Sequence, residues 1–330
     1  MRIFSINNAN ENISCKSCME KGISRMAGKK TPLLIDQHIH GAFGVDFNMA
    51  KKEDMYNVAK NLLRIGIGGF FPTLVTDTVE HIKTQIGVIK EAAKNCPNIL
   101  GIHLEGIFIN PNKKGIHNPK LFSPLTVENY KRIEDDFVKI VTLAPELDEG
   151  LVDYLRAKDV KLQAGHCIGG KLSKMDGVTH MFNAMSGVNH RGQSTALTGL
   201  INDNLYTEVI ADGVHVSDEA LKLLFKSKPE DKVLLVSDAL PITNSNKETT
   251  IFAGSKIYYD GEKATSADGT IAGSTTLLNN VVKKLAEKEM LNEKYIENPY
   301  TYHGIKPFGE ITWDDDWNIA DVTYEGQKVL

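Results

Sequence analysis

Eight short apolar runs, set along 330 residues and separated by amphipathic stretches, constrain what this chain can fold into more than any other feature of it. They occupy 33–40, 69–76, 99–106, 138–144, 161–166, 178–182, 206–211 and 233–238. Helices are expected between most of them, at 53–64, 79–94, 127–135, 150–157 and 218–226, where apolar residues recur at three- and four-residue spacing. Strand and helix in alternation imply a parallel sheet, and eight such units imply an α/β fold of the TIM (β/α)8 barrel type. A doubly wound sheet is the rival, but no G-x-G-x-x-G follows the first run.

Both ends of the chain fall outside this pattern. The first 30 residues are polar with few strand signals, 251–271 reads as a hairpin turning at Asp260-Gly261, and 309–330 is again strand-like. The expected organisation is a barrel over 31–304 with a hairpin insertion near 251–271, plus a small, reduced, sandwich-like β appendage from 1–30 and 305–330. A hydrophobic content of 42% supports one large core. A net charge of -4 excludes the broad basic surface that nonspecific nucleic-acid binding needs, so any anionic ligand is gripped locally. No apolar stretch approaches the roughly 20 residues of a membrane span, and the start of the chain lacks signal-peptide order, so a cytoplasmic protein is expected. Four cysteines make no disulfide framework, and Cys15-Lys-Ser-Cys18 lacks the second pair of a zinc site, so it is read as incidental.

In a barrel of this type the C-terminal strand ends converge on one face, and here they are polar. The first run ends in His38-Ile-His40, whose imidazoles share a face because strand side chains alternate. The third ends in Glu105 between two glycines, and an unpaired buried carboxylate there is costly unless a proton, a donor or a cation meets it. The fifth ends in His166, the sixth carries His180, the seventh runs into Asp212 and His215, and the eighth ends in Asp238. Any one histidine at a strand end is more often bonded to backbone than to metal. Several on converging strands, with carboxylates, suit a zinc, iron, manganese or cobalt ion better than calcium or magnesium. Asp238 could be a helix cap, but beside a metal it could take a proton from water and return it to a leaving group. Asn183-Ala184 followed by Arg191 suggests a grip on a phosphate, although a lone loop arginine is commonly just solvated. Gly165 to Lys171 has P-loop spacing but ends on Leu172 where Ser or Thr is needed, and is rejected as one.

These segments together resemble the N-acetylglucosamine-6-phosphate deacetylases of the amidohydrolase superfamily. The resemblance runs in order through Ile35-Asp-Gln-His-Ile-His-Gly41, Gly101-Ile-His-Leu-Glu-Gly106, Lys114-Gly-Ile-His-Asn-Pro119, Ala164-Gly-His166, Thr179-His-Met-Phe-Asn-Ala-Met185, Ile210-Ala-Asp-Gly-Val-His215 and Ser237-Asp-Ala239. It implies Glu105, His166 and His180 as the main metal ligands, His38 and His40 as ligands of a second ion, and Asp238 as the acid/base. It also implies that His117 contacts the acetamido and sugar groups, and that Asn183, Ala184, Arg191 and His215 bind the sugar phosphate, some of them across a homodimer. The implied reaction is hydrolysis of N-acetylglucosamine 6-phosphate to glucosamine 6-phosphate and acetate in amino-sugar catabolism, with one or two divalent ions, zinc first among them.

The chain departs from that family in three ways, one being the short flanks that reduce the β appendage. Ile107 stands where proline usually follows His-Leu-Glu-Gly, and only 13 residues separate His166 from His180, so the helix after the fifth strand is expected to be shortened or lost. Two alternatives stay open from sequence: a related enzyme for another N-acetyl amino-sugar phosphate, of the galactosamine type, and a degenerate barrel without catalysis.

Overall fold

Each apolar run supplies one strand of a single parallel sheet in the computed structural model, which describes residues 28–329. The strands are β1 (Leu34–Ile39), β2 (Ile67–Val75), β3 (Ile102–Glu105), β4 (Val138–Leu143), β5 (Lys161–Ala164), β6 (Gly177–Val178), β7 (Tyr206–Val209) and β8 (Val233–Leu235). They neighbour one another in chain order from β1 to β8. The ends are stitched together where Asp238 N donates to His38 O at 2.8 Å and His40 N donates to Ala239 O at 2.9 Å, so the sheet closes into the expected barrel. Closure at this end of β1 and β8 brings His38 of β1, and His40 just after it, beside Asp238.

The outer helices are α1 (Lys52–Arg64), α2 (Val79–Ala93), α3 (Val127–Lys131), α4 (Leu151–Arg156), α5 (Thr195–Ile201), α6 (Asp218–Ser227), α7 (Leu278–Glu287) and α8 (Lys294–His303). In α1, Met55, Val58, Ala59 and Leu62 recur at helical spacing and are all buried, while Asp54 reaches back to accept from Lys51 N at 2.9 Å. Thr78, Ser194 and Ser217 cap α2, α5 and α6 in the same physical way, each accepting a backbone N–H of the first turn.

Three expectations need correction. The helix expected over 127–135 is a single short turn, α3, and the sixth strand is only two residues long, because Thr179 to Phe182 leave the ladder with His180 and Phe182 in left-handed backbone. The hairpin over 251–271 is a three-stranded meander, Thr249–Phe252, Ser255–Tyr259 and Ala264–Ser266. No helix is present between β5 and β6 among the described residues, as the short spacing requires.

α5, α7 and α8 went unread in the sequence. Pro299 lies inside α8 and argues against a helix there, yet tertiary contacts hold it. Tyr300 donates to Leu33 O at 2.6 Å, Gln163 donates to the Tyr302 hydroxyl at 3.0 Å, and His303 Nε2 lies 2.8 Å from Gln37 Oε1. α8 therefore closes the end of the barrel opposite the strand C-termini.

Beside the barrel, Lys29–Pro32, Gly309–Trp313, Ile319–Tyr324 and Gln327–Lys328 form a four-stranded antiparallel sheet. The rest of the expected N-terminal contribution to the appendage, and the Cys15–Cys18 pair, lie outside the described residues. Cys96 and Cys167 are free thiols. Among the described residues no helix is long and apolar enough to cross a membrane.

Trp313 joins the sheet to the barrel core: it is fully buried in the main apolar cluster, while its indole N–H donates within the sheet to Thr31 Oγ1 at 2.8 Å. Replacing it with alanine is expected to lower unfolding free energy by about 3–5 kcal/mol. Urea unfolding monitored by circular dichroism measures this. A loss below about 1 kcal/mol would show that the sheet is not coupled to the core.

Candidate metal centre and cavity

Glu105 ends β3 as a carboxylate almost wholly out of water, and four imidazoles converge on it. Its Oε1 lies 2.9 Å from His180 Nε2 and 3.1 Å from His166 Nε2, and its Oε2 lies 3.1 Å from His40 Nε2 and 3.4 Å from His38 Nε2. Asp238 Oδ1 completes the second half, 3.0 Å from His40 Nε2 and 3.5 Å from His38 Nε2. Two candidate ligand sets adjoin one carboxylate: Glu105, His166 and His180 on one side, and His38, His40 and Asp238 on the other, facing Glu105 Oε2.

The donor chemistry tests whether a cation fits. His38 Nδ1 faces Glu208 Oε2 at 3.0 Å, His40 Nδ1 faces Thr73 O at 3.2 Å and His166 Nδ1 faces Lys113 O at 2.7 Å. Those partners can only accept, so all three rings carry their proton on Nδ1 and present an Nε2 lone pair to the cluster. Lone pairs then meet lone pairs. His38 and His40 Nε2 stand 3.2 Å apart with carboxylate oxygens beside them, and His166 Nε2 meets Glu105 Oε1; His180, whose Nδ1 has no partner among the described residues, is the one ring left to choose its tautomer. Only positive charge relieves this arrangement, and imidazole with carboxylate is the ligand chemistry of a divalent transition metal. Extra protons are the substitute without one: burial alone would depress His40, but Asp238 and Glu105 lift it to about 9.

The strand ends reach this geometry through strained backbone. His166, His180 and Asp238 adopt φ of 48°, 30° and 50°, a left-handed region that costs a non-glycine residue about 1–3 kcal/mol and recurs at functional sites. Gly106, at φ 137°, lets the chain turn past β2: a Cβ there would lie 2.3 Å from Thr76 Oγ1.

Thr76 sets a further group. Ile107 N donates to its hydroxyl oxygen at 3.2 Å, and that hydroxyl lies 2.9 Å from His117 Nδ1. The hydroxyl proton is thereby directed to Nδ1, and His117, held neutral by burial at a pKa of about 4, turns its Nε2–H toward the cavity, 3.6 Å from Glu105 Oε2. Ile107 thus supplies an N–H that the expected proline could not.

A cavity of about 220 Å³ opens over the cluster. Its walls include Glu105, His117, His166, Asn183, Ala184 and Asp238, with Phe252 and Ala272 from the meander side. Glu105, His166, His180, His38, His40, Asp238 and His117 are therefore brought together. Asn183 and Ala184 are brought to the wall, and His215 joins them. Both His215 nitrogens are already engaged, Nδ1 with Asp212 Oδ2 at 2.8 Å and Nε2 with Ala272 O at 3.0 Å, so the ring offers charge and support more than a free donor. Arg191 is the exception among the expected residues. It stands exposed on the loop before α5 and does not line the cavity.

The sequence pattern of the Amidohydrolase family matches residues 30–320. The chain belongs to the amidohydrolase family. It is similar to the N-acetylglucosamine-6-phosphate deacetylase of Bacillus subtilis, 31% identical over 91% of this chain and 82% of that protein. It also resembles the N-acetylgalactosamine-6-phosphate deacetylase of Escherichia coli O157:H7, 28% identical over 78% of this chain and 72% of the relative. The crystal structure of N-acetylglucosamine-6-phosphate deacetylase from Thermotoga maritima superposes with a TM-score of 0.86 at 27% identity, covering 92% of this chain and 89% of that one.

Residues unread in this amidohydrolase's sequence include Glu208, Gln37, His103, Thr76 and Thr142. His103, pushed down to about 3 by burial, lies 2.9 Å from Gln37 O and 2.8 Å from Thr142 Oγ1, so both its nitrogens are used and it is structural. The signal for Glu208 was present: a lone carboxylate inside the run Tyr206-Thr-Glu-Val-Ile-Ala211.

The Asp212–His215 pair generates a pH prediction. Burial pushes His215 down, but the Asp212 carboxylate lifts it to about 9, while Asp212 falls to about 2 despite its own burial. The His215 contribution to stability is complete below its unfolded value of about 6.5 and disappears as pH rises through about 9. The unfolding free energy lost in His215→Gln should therefore be about 2–3 kcal/mol at pH 6 and shrink toward zero by pH 10. Paired urea titrations check it; a difference independent of pH would refute the ion pair.

Proposed function

We propose that this amidohydrolase removes the acetyl group of N-acetylglucosamine 6-phosphate, releasing glucosamine 6-phosphate and acetate. The observation that carries the reading is the cluster of acceptors around Glu105, set at the floor of a cavity in a chain whose relatives are named as deacetylases of amino-sugar phosphates. Glu105, His166 and His180 would hold one divalent ion, and His38, His40 and Asp238 a second, with Glu105 shared. Zinc is the metal we favour over iron, manganese or cobalt. Bound there, such an ion polarises the amide carbonyl and makes hydroxide available near neutral pH.

The chain's own residues do the rest. Asp238 lies on the cavity wall, and although burial raises its pKa, His38 and His40 hold it below the ordinary carboxylate value, so it is ready to accept a proton. It takes that proton from water as the C–O bond forms at the acetyl carbon, and gives it to the amide nitrogen as the C–N bond breaks. His117 points its Nε2–H into the cavity, where it can donate to the acetamido oxygen or a sugar hydroxyl. Asn183 and the backbone at Ala184 hold the sugar phosphate beside the charged His215, and Arg191 is brought in from its loop. We further propose a cytoplasmic homodimer, with the barrel over 31–304 and the appendage from 1–30 and 305–330 as its parts.

One observation favours a second substrate: the similarity to an N-acetylgalactosamine-6-phosphate deacetylase. Acetate release from both phosphosugars, and from unphosphorylated N-acetylglucosamine, decides between them. Release from the glucosamine derivative first, with Asp238→Asn lowering kcat about 10²–10⁴-fold while the ion on Glu105, His166 and His180 is retained, is the expected result. A metal-loaded protein that releases acetate from none of them is the degenerate barrel instead.

A further inference from the structure

Glu208 is buried in the barrel interior, in the middle of β7, and none of the chemistry above uses it. Its oxygens are divided between two tasks. Oε1 accepts from Gln37 Nε2 at 2.5 Å. Oε2 faces His38 Nδ1 at 3.0 Å and accepts from the backbone N–H of His180 at 3.3 Å. One carboxylate oxygen therefore touches a residue from each half of the candidate metal centre, the ring of His38 and the main chain of His180.

The surroundings leave Glu208 little freedom. Gln37 presents its carbonyl oxygen to His303 of α8 at 2.8 Å, which fixes its amide with the NH2 group toward Glu208. His38 is boxed by the ring of His103, 4.6 Å away between centroids and edge-on. A polar chain thus runs from α8 at the closed end of the barrel, through Gln37 and Glu208, to the His38 ring at the open end.

His38 differs from the other rings in what it leans on. Neutral backbone carbonyls take the Nδ1 protons of His40 and His166. Only His38, among the four imidazoles of the cluster, has a carboxylate there. Such a partner fixes the tautomer as a carbonyl would, and it also makes the imidazole more basic and adds a negative charge beside the pair of sites. With Glu105 shared, the second ion otherwise has Asp238 as its single private carboxylate.

We infer that Glu208 is a positioning residue for the ion held by His38, His40 and Asp238, and that it decides whether this amidohydrolase binds two ions or one. The inference rests on the metal reading of the cluster. It does not depend on the substrate, and it is tested without turnover.

The test loads wild type and Glu208→Gln with cobalt or zinc, equilibrates each against graded chelator, and reads metal content by elemental analysis together with the visible spectrum of the cobalt forms. Wild type is expected to hold two equivalents. In Glu208→Gln the more weakly held equivalent should lose about 10–100-fold in affinity, while the other changes less than about 3-fold. Glu208→Asp, which keeps the charge one methylene short, should recover part of the loss. A purely structural role would weaken both ions together and would not be rescued by aspartate.

Two equivalents retained in Glu208→Gln at wild-type affinity, or loss of both in parallel, overturns the inference. A wild type that never exceeds one equivalent overturns it too, yet leaves a one-ion deacetylase standing; a wild type that binds none removes both readings. Should Glu208→Gln fail to fold, Glu208→Asp carries the test, and wild-type affinity for both ions in that variant is the overturning result.

Discussion

The structure depends on one electrostatic constraint: the Glu105 carboxylate, removed from water, has to be surrounded by positive charge. Burial of an isolated carboxylate is so unfavourable that it is ordinarily relieved by protonation. Here the relief falls on the imidazoles, because His38, His40 and His166 have each committed one proton outward and can meet the carboxylate only through a cation or a second proton. The barrel does not merely tolerate this clash of acceptors. Its eight strands, closed between β1 and β8, set these groups within 3.0–3.5 Å of one another, and a bound cation or added protons relieve that contact. That makes the site's charge deficit a property of the fold as much as of its ligands.

The same constraint explains where strain is stored. A strand running straight on from Ala164 or Val178 would carry the next side chain past the cluster. His166 and His180 instead turn at once into left-handed backbone, as Asp238 does after β8, which swings each polar group over the mouth of the barrel. Gly106 permits the corresponding turn after Glu105 because a Cβ would collide with Thr76. Backbone strain at these positions is offset by the interior behind them, including Val178, Val209, Leu234 and Val236, all fully buried.

Much of this was legible in the sequence, for physical reasons that differ by element. The barrel strands are continuous apolar runs buried on both faces, and their polar last residues mark the open end, so fold and cluster could be read together. What stayed hidden depended on tertiary contact. α8 carries Pro299, whose local preference is overruled by Tyr300, Tyr302 and His303 reaching into the barrel. The sixth strand lost four of its expected residues, Thr179 to Phe182, because the left-handed turns at His180 and Phe182 outweigh the β propensity of Val178-Thr179. Glu208 and Thr76 were missed because each acts through another side chain, and a sequence shows a ligand's chemistry more readily than the group that orients it. Arg191 differs in another sense: its chemistry suits a phosphate, but its place on an exposed loop, away from the cavity wall of its own chain, could not be read from type and order.

The missing helix between β5 and β6 shows why such a site survives deletions in its outer layer. A barrel helix normally covers its strands and spaces them; here polar contacts replace it. Asp176 accepts from Leu162 N at 2.8 Å and from Arg156 Nη1 at 2.8 Å, which ties the end of the connection back to the start of β5. Thr195 donates to Gly169 O at 2.8 Å, and Ser186 N donates to Cys167 O at 3.2 Å, so the remaining loop is pinned to the start of α5. Neither set of contacts touches a cluster residue. The positions of His166 and His180 follow from β5 and β6 pairing with their neighbours and from the turns immediately after them, which the deletion leaves alone. Loss of a helix therefore costs covering area on the outside of the barrel while His166 and His180 still meet Glu105 inside it.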